Sequence, residues 1–570
     1  MLYQKKIQLL LMMFLVSSCF DKAEKAANEK FDPGIVISDV TKKSLIDFKH
    51  EQGRYFDKKH KNVSRYISSM TSSVAVADIN NDGWQDFFIS NDTKKHGLYI
   101  NKGDGTFVDQ FASSGIDTSK VESVQRPIFF DYDNDGYKDL FLGTNSYFYL
   151  YKNISGTTFK DVTAELGLGK EKLFLIAGNV IDYNKDGFLD LVVSGYFPES
   201  HRTNDPRFMP ETFEGAANGG PVYVFKNENG KRFIKQPGAL GIPDGAWTLA
   251  IGVYDFNNDG YDDLWFANDF NSDWAYLNNH GKNFIDNSES LKSSESNNGM
   301  NSEIADIDDD GLPVVYVSQI YQEGIEPDGN TLFKMSPDGN FKDVAKTRGI
   351  DKCGWSWGAK FIDLDNNSKL DLVVSNGYFS GDPKKSLWFS TGTLGSGGKD
   401  FLVDARNWPD LTDGTWGGYQ HKCVFYNKGN EFVNIIESTD LNDNLEDGRS
   451  LAVIDFLNNG FQSLLLATQN GHAYLYQVSN REKRNWIGFS LIGKESGTDA
   501  FGAKVKIELD KRTLSRTKVP TNGFASQSDS RIHFGLGLNN SIKKITVFWP
   551  NGKTVELKDY NLNSYNKIYE

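Results

Sequence analysis

Asp131-Tyr132-Asp133-Asn134-Asp135-Gly136-Tyr137-Lys138-Asp139 places four carboxylates and one glycine in nine residues. Four like charges this close repel one another unless a cation sits among them. Positions 1, 3, 5 and 9 offer side-chain oxygens, position 7 offers its backbone carbonyl, and glycine at position 6 permits the tight turn. An all-oxygen set of this kind suits calcium, a hard cation with flexible coordination. No His or Cys stands in the loop, which argues against zinc or copper.

The pattern D-x-[DN]-x-D-G-x-x-D recurs along the chain. Complete copies offer Asp78, Asn80, Asp82, Trp84 and Asp86; Asp131, Asp133, Asp135, Tyr137 and Asp139; Asp182, Asn184, Asp186, Phe188 and Asp190; and Asp255, Asn257, Asp259, Tyr261 and Asp263. Three further copies are degraded. The fifth starts at Asp306 and has Val314 at position 9. The sixth keeps Asp363, Asp365, Asn367 and Asp371 but has Ser368 in place of glycine. The seventh starts at Asp455 and has Leu457 and Ser463 where ligands belong. The expectation is calcium in the four complete loops, a fifth ion in the Asp363 loop, and plain turns at Asp306 and Asp455.

The flanks fix the architecture. An EF-hand needs helices and an acid at position 12, where this chain has Ile89, Leu142, Val193 and Phe266. Instead, short apolar runs such as Val74–Ala77 and Phe87–Ile89 bracket the loop as strands. Each loop is followed by an aromatic strand ending near Asn, a Gly turn, and a strand that starts at Phe, as in Tyr149–Asn153 and Phe159–Val162. Each unit therefore supplies four antiparallel strands. Seven units predict an all-β, seven-bladed β-propeller with four-stranded blades. Abundant aromatics (40 Phe, 25 Tyr, 11 Trp) and 54 Gly against 15 Pro fit many short strands and turns. The seventh unit lacks its last strand. Residues 34–41, with Ile37-Ser-Asp-Val40, resemble the missing piece and predict closure of the ring by the N-terminal segment, which removes an edge.

The repeats resemble FG-GAP/VCBS repeats. Residues 485–552 resemble the ASPIC/UnbV domain that accompanies such repeats in the cartilage acidic protein family, through Asn485-Trp486, Gly502-Ala503, Gly523-Phe524, Ser526-Gln527, His533-Phe-Gly-Leu-Gly537 and Trp549-Pro-Asn-Gly552. The resemblance implies an integrin-α-like propeller over residues 34–480 and a small β domain over 481–570, and it fixes fold better than activity.

The N-terminal residues read as an export signal: Lys5 and Lys6, then an apolar run from Ile7 to Val16 that is too short to span a bilayer. Val16-Ser17-Ser18-Cys19 resembles a bacterial lipobox, which implies a signal over residues 1–18, lipidation of Cys19 and a tether over 19–33. With Phe20 after the cysteine, the expected address is the cell envelope, anchored to the outer membrane through this lipid alone. The formal charge of −14 argues against a nucleic-acid partner. Cys353 and Cys423 allow a single bridge, which export permits; two buried thiols fit the sequence equally.

Alternating strand direction puts the long insertions, residues 196–220 and 378–420, on the face opposite the aspartate loops. There Tyr196, His201, Arg202, Asn268, Asp269, Trp274, Tyr378 and Trp388, with Phe197, Trp408, Trp416, Asn91, Asp92, Asn145 and Tyr321, offer aromatic faces beside amides and acids. Such a surface suits a glycan or protein ligand. No G-x-S-x-G, H-E-x-x-H, P-loop or dinucleotide fingerprint is present, so the reading is a binding or adhesion module. Two alternatives use the same scaffold: a polysaccharide lyase built on Tyr196, His201 and Arg202, or an assembly subunit that holds a partner protein.

Overall fold

Each aspartate loop closes a hairpin. In the second repeat, Val124–Phe130 pairs antiparallel with Asp139–Thr144, and Phe130 opposite Asp139 is the last rung before the turn. The apolar run Leu140-Phe-Leu142 is fully buried, which is why it extends as a strand between two packed layers rather than alternating in polarity. Phe148–Asn153 and Phe159–Asp161 complete the sheet. The computed structural model describes residues 31–53, 60–93, 95–203, 205–291 and 298–570. The export signal, Cys19 and most of the tether lie outside the described residues.

Seven such sheets follow one another. Their first strands are Val74–Ala77, Val124–Phe130, Leu175–Ile181, Trp247–Tyr254, Glu303–Ala305, Ser356–Ile362 and Gly448–Ile454. Each first strand packs against the next, and that of the seventh sheet packs against that of the first. The seventh sheet obtains its fourth strand from Ile35–Asp39, which pairs antiparallel with Ala473–Asn480 from Ile35 opposite Asn480 to Asp39 opposite Tyr476. Ile35 and Ile37 are buried there.

Residues 485–569 form two further sheets, a three-stranded one around Asn485–Ile492 and a four-stranded one around Lys504–Glu508, over a core that includes Ile487, Phe489, Val505, Ile507 and Val547. Between them, the segment Pro520–Gln527 inserts among the first strands of the seven sheets. Ser526–Gln527 adds a parallel strand beside Val74–Ala75. Gln527 clamps the Phe129 backbone, accepting from its N–H at 2.7 Å and donating to its carbonyl at 2.8 Å. Asn179 donates to the Thr521 carbonyl, Lys360 to that of Asn522, and Ser450 to that of Ala525. Arg126 and Lys360 are almost wholly buried and depend on such acceptors, because a buried cation without partners is costly.

Cys353 and Cys423 are joined in a disulfide with their Cα atoms 6.1 Å apart. The bridge ties the approach to Ser356–Ile362 to the start of Cys423–Asn427, so it closes the base of the 378–420 insertion. No helix among the described residues is long and apolar enough to cross a membrane.

Candidate cation loops and an aromatic cavity

The aspartate loops share one hydrogen-bond scheme. In the first, Asp78 accepts from the N–H groups of Asp82 and Gly83, and Asp82 accepts from that of Trp84. Asp86 accepts from Ile79 N–H at 3.1 Å and Asn101 N–H at 2.8 Å. Position 9 thereby joins the loop to the third strand, and Asp139, Asp190, Asp263 and Asp371 repeat the arrangement. The Asn that closes the third strand links neighbouring sheets. Asn153 donates to the Ile79 carbonyl, Asn227 to that of Tyr132, Asn278 to that of Tyr183, and Asn101 to that of Phe456.

Position 4 is left-handed in all seven loops, with φ between 51° at Asn458 and 59° at Asn81, a conformation that Asn tolerates. Position 6 is left-handed as well, and Ser368 holds φ 76° where the other loops have glycine.

The donors fit a hard cation. Oxygens of Asp131, Asp133 and Asp139 lie within 4.8 Å of one another, as do those of Asp363, Asp365 and Asp371. Asp133 Oδ1 is buried without a hydrogen-bond partner. Burial pushes Asp86, Asp139 and Asp263 up to about 8, Asp363 to about 7 and Asp182 to about 6. Asp190 and Asp371 are driven well above the usual carboxylate range by the same cause.

The degraded loops carry cations of their own. Lys334 lies 3.0 Å from Asp310 and also contacts Asp308, which pairs with Arg348 at 3.0 Å as well. Arg484 pairs with Asp365. In the seventh loop, Tyr565 donates to Asp455 and Arg531 to its carbonyl. The C-terminal domain supplies Arg484, Arg531 and Tyr565, so it docks on the end of the sheets that bears the loops. Complete loops are not free of side-chain cations either: Lys152 reaches Asp133 and Asp135, and Lys226 lies 3.4 Å from Asp186. At the equivalent position the first and fourth loops have Ile100 and Leu277.

At the opposite end of the strands, the two insertions fold down onto the sheets. Strand Ser356–Ile362 spans about 23 Å between these ends. Tyr196 and Tyr378 belong to one buried cluster with Tyr66, Phe197, Trp247, Trp355, Trp357 and Trp408. The expectation that Tyr196 and Asn268 present a ligand surface is therefore corrected: both are buried, outside the cavity that Tyr378, also buried, lines. The aromatic area of Tyr196 and Tyr378 packs the insertions onto the sheets; the 378–420 insertion pairs Asp382–Ser386 with Gly414–Thr415 as a short parallel ribbon of its own. Tyr196 donates to Asp269 at 2.6 Å and pairs with the Tyr66 hydroxyl at 2.9 Å. Asn268 accepts from Thr248. His201 stacks on Phe197 with ring centres 4.5 Å apart, the side chain of Arg202 lies outside the described residues, and Trp274 packs against Phe266.

What remains open is a cavity of about 260 Å³ lined by Asp269, Tyr378, Trp388, Trp408 and Trp416, which the sequence had pointed to, and by Tyr66, Phe213, Glu214, Phe270, Glu326, Asp328, Trp355 and Trp357, which it had not. Trp355 lies 4.9 Å from Trp416 and 5.6 Å from Trp388, ring centre to ring centre. The indole N–H groups of Trp355, Trp357 and Trp416 are buried without acceptors. Burial raises Asp269 to about 7. The missed residues come from separate elements, Tyr66 from the helix Ser64–Ser68, Trp357 from the strand Ser356–Ile362 and the acids from loops; the tryptophan pair in Cys353-Gly-Trp-Ser-Trp357 was the available signal.

The FG-GAP-like repeat profile matches residues 78–141, 131–193 and 255–317, and the ASPIC and UnbV profile matches residues 493–570. Cartilage acidic protein 1 of Xenopus tropicalis is 27% identical over 198 residues, 34% of this chain and 28% of that protein. The human protein matches at 27% over 209 residues. The chain thus spans under a third of the length of the curated relatives it matches. Among solved structures, an Agrocybe aegerita lectin that recognises non-reducing terminal N-acetylglucosamine aligns with TM-score 0.37 and 16% identity, covering 64% of this chain and 79% of the lectin. The exotype rhamnogalacturonan lyase YesX aligns with TM-score 0.34 and 13% identity, covering 71% and 72%.

Proposed function

For a chain that carries FG-GAP-like repeats and an ASPIC and UnbV domain and is distantly homologous to cartilage acidic protein 1, we propose a calcium-stabilised, closed seven-bladed propeller that binds a glycan in the aromatic cavity opposite its aspartate loops. The unbroken circuit of contacts among seven first strands and the pairing of Ile35–Asp39 with Ala473–Asn480 support closure. Converging, partly unpartnered carboxylates support calcium. The remaining assignments are proposals from sequence: a lipid anchor at Cys19, an outer-membrane address, and a domain boundary near residue 480.

The observation that carries the binding function is the set of three buried indole N–H groups without acceptors on a cavity walled by tryptophan. Unsatisfied donors beside flat apolar faces call for a ligand with hydroxyl or ring oxygens on a stackable skeleton, as a sugar has. A glycan array read with calcium and with chelator tests this. Binding that needs calcium and disappears in Trp388→Ala supports it; an array without signal in either condition refutes it. The same protein incubated with polysaccharides and followed by ultraviolet absorbance tests the lyase alternative, which predicts unsaturated products.

Calcium binding to the folded state alone raises stability by mass action, about 2.7 kcal/mol at a hundredfold excess over Kd for one site. Because the loop carboxylates of the metal-free fold hold protons near neutrality, calcium affinity rises with pH as those protons are displaced.

A further inference from the structure

We infer that the cavity selects ligands bearing an ammonium group, so that its glycan carries free amines. This rests on the cavity being the binding site.

All four charged residues that line it are acids: Glu214, Asp269, Glu326 and Asp328. No lysine, arginine or histidine is among the described lining residues. Glu214 comes from the first insertion, while Glu326 and Asp328 come from the loop after Val314–Val317, so separate elements bring like charges to one rim. They act on one another: Glu326 is raised above the ordinary glutamate value by burial and then by the charges of Asp328 and Glu214. Two arginines approach the cavity from outside its lining: Arg65, 4.8 Å from the Phe379 ring centre, and Arg449, whose guanidinium lies 4.5 Å from the Trp357 ring centre and 5.4 Å from that of Tyr378. Arg449 is fully buried and donates to the carbonyls of Ser69, Gly377 and Tyr378, and Arg65 donates to those of Thr412, Gly414 and Ser380, so both underlie the cage rather than entering it, and two cations offset only part of four acids.

Trp355, Trp388 and Trp416 present aromatic rings to the same space. An aromatic wall attracts a cation through its negative face, and more strongly where water is excluded. Carboxylates that repel one another are relieved by a positive charge placed among them. The indole N–H groups of Trp355 and Trp357, on residues 6% and 2% exposed, have no acceptor, and oxygens of the same ligand would satisfy them. A sugar carrying an ammonium group supplies both.

The test uses the full chain in excess calcium at about pH 6.5, where an amine is protonated. Isothermal titration compares two oligosaccharides of the same backbone, the tetramers of glucosamine and of N-acetylglucosamine, with tetramethylammonium as the bare cation that separates charge from the acetyl group's bulk. The expected result is that the glucosamine tetramer binds about tenfold more tightly than its acetylated form, that tetramethylammonium quenches tryptophan fluorescence, and that Glu326→Gln brings the ratio of the two affinities towards one. Asp328→Asn serves in parallel should Glu326→Gln fail to fold. Equal or tighter binding of the acetylated tetramer overturns the ammonium assignment and leaves the glycan reading intact. Absence of binding by all three probes overturns both.

Discussion

Lys152, the residue before Asn153 at the end of its strand, lies 2.9 Å from Asp135 and also contacts Asp133. Its ammonium pairs with two of the carboxylates that the proposed calcium ion would use, so on that proposal the two cations compete. Lys152→Met should therefore lower the melting temperature in chelator, because Asp133 and Asp135 lose their counter-charge, and raise calcium affinity at this loop several-fold. Calorimetric titration beside a melting curve reads both signs; weaker calcium binding in the variant contradicts the competition. His96 makes a second prediction. Its Nδ1 accepts from Asn91 N–H, its Nε2 lies 2.6 Å from the Val121 carbonyl, and burial lowers it to about 4. A histidine whose folded value is depressed stabilises the fold above its unfolded value of about 6.5, and that contribution is lost as pH falls towards 4. Denaturant unfolding at pH 7.5 and pH 5 should show a fall that His96→Gln reduces by about 2 kcal/mol. An unchanged fall assigns the acid lability to His50 and His533, which burial lowers to about 3.

At the scale of the element, Ile35–Asp39 is a strand of five residues whose pairing partner lies more than four hundred residues along the chain. Val36 and Ser38 are half-buried on its other face, while Ile35 and Ile37 enter the core shared by the sixth and seventh sheets. Ile37→Asp buries a charge without a partner and should cost at least about 3 kcal/mol. Removal of residues 20–33 should be nearly silent, whereas removal of residues 20–41 should lower the melting temperature and promote association through the freed edge of Ala473–Asn480. Solution size and thermal unfolding in excess calcium read the difference, and two equally stable monomers would contradict closure by this strand.

Across the whole molecule, the segment Pro520–Gln527 connects ends that are otherwise separated by the length of a strand. Phe524 packs on Trp357 at 4.8 Å between ring centres, and Trp357 lines the cavity. A domain docked at the aspartate-loop end thereby supports the floor of the opposite one. Phe524→Ala should cost about 3 to 5 kcal/mol, as emptying a core position does, and should weaken ligand binding in the cavity. A chain ending at residue 480 leaves Arg126 without the Thr521 hydroxyl and the Ser526 carbonyl, and Lys360 without the Asn522 carbonyl, and should not yield a stable monomer. A well-folded monomer from that truncation, seen by circular dichroism and scattering, would refute the dependence.

The aspartate loops, the strands on either side and the last strand of the seventh sheet were all legible in the sequence, because a loop with seven backbone and carboxylate contacts specifies itself locally. Asp78 bonds to residues four and five positions away, and Asp86 to Ile79 seven positions away. The cavity was half legible. Trp388, Trp408 and Trp416 stood out as aromatics on an insertion, but nothing local marks Trp355, Glu214 or Glu326 as neighbours, since each meets the others only through separate sheets. The same holds for Tyr196 and Tyr378, which read as surface aromatics and are buried: an insertion too small to enclose a core of its own buries its aromatic side chains against the sheets beneath it. Gly523-Phe524 and Ser526-Gln527 marked the C-terminal domain without revealing that they enter the middle of the sheets. Loop chemistry is written in neighbouring residues, whereas burial and convergence depend on contacts between residues hundreds of positions apart, and those exist only once the chain has closed on itself.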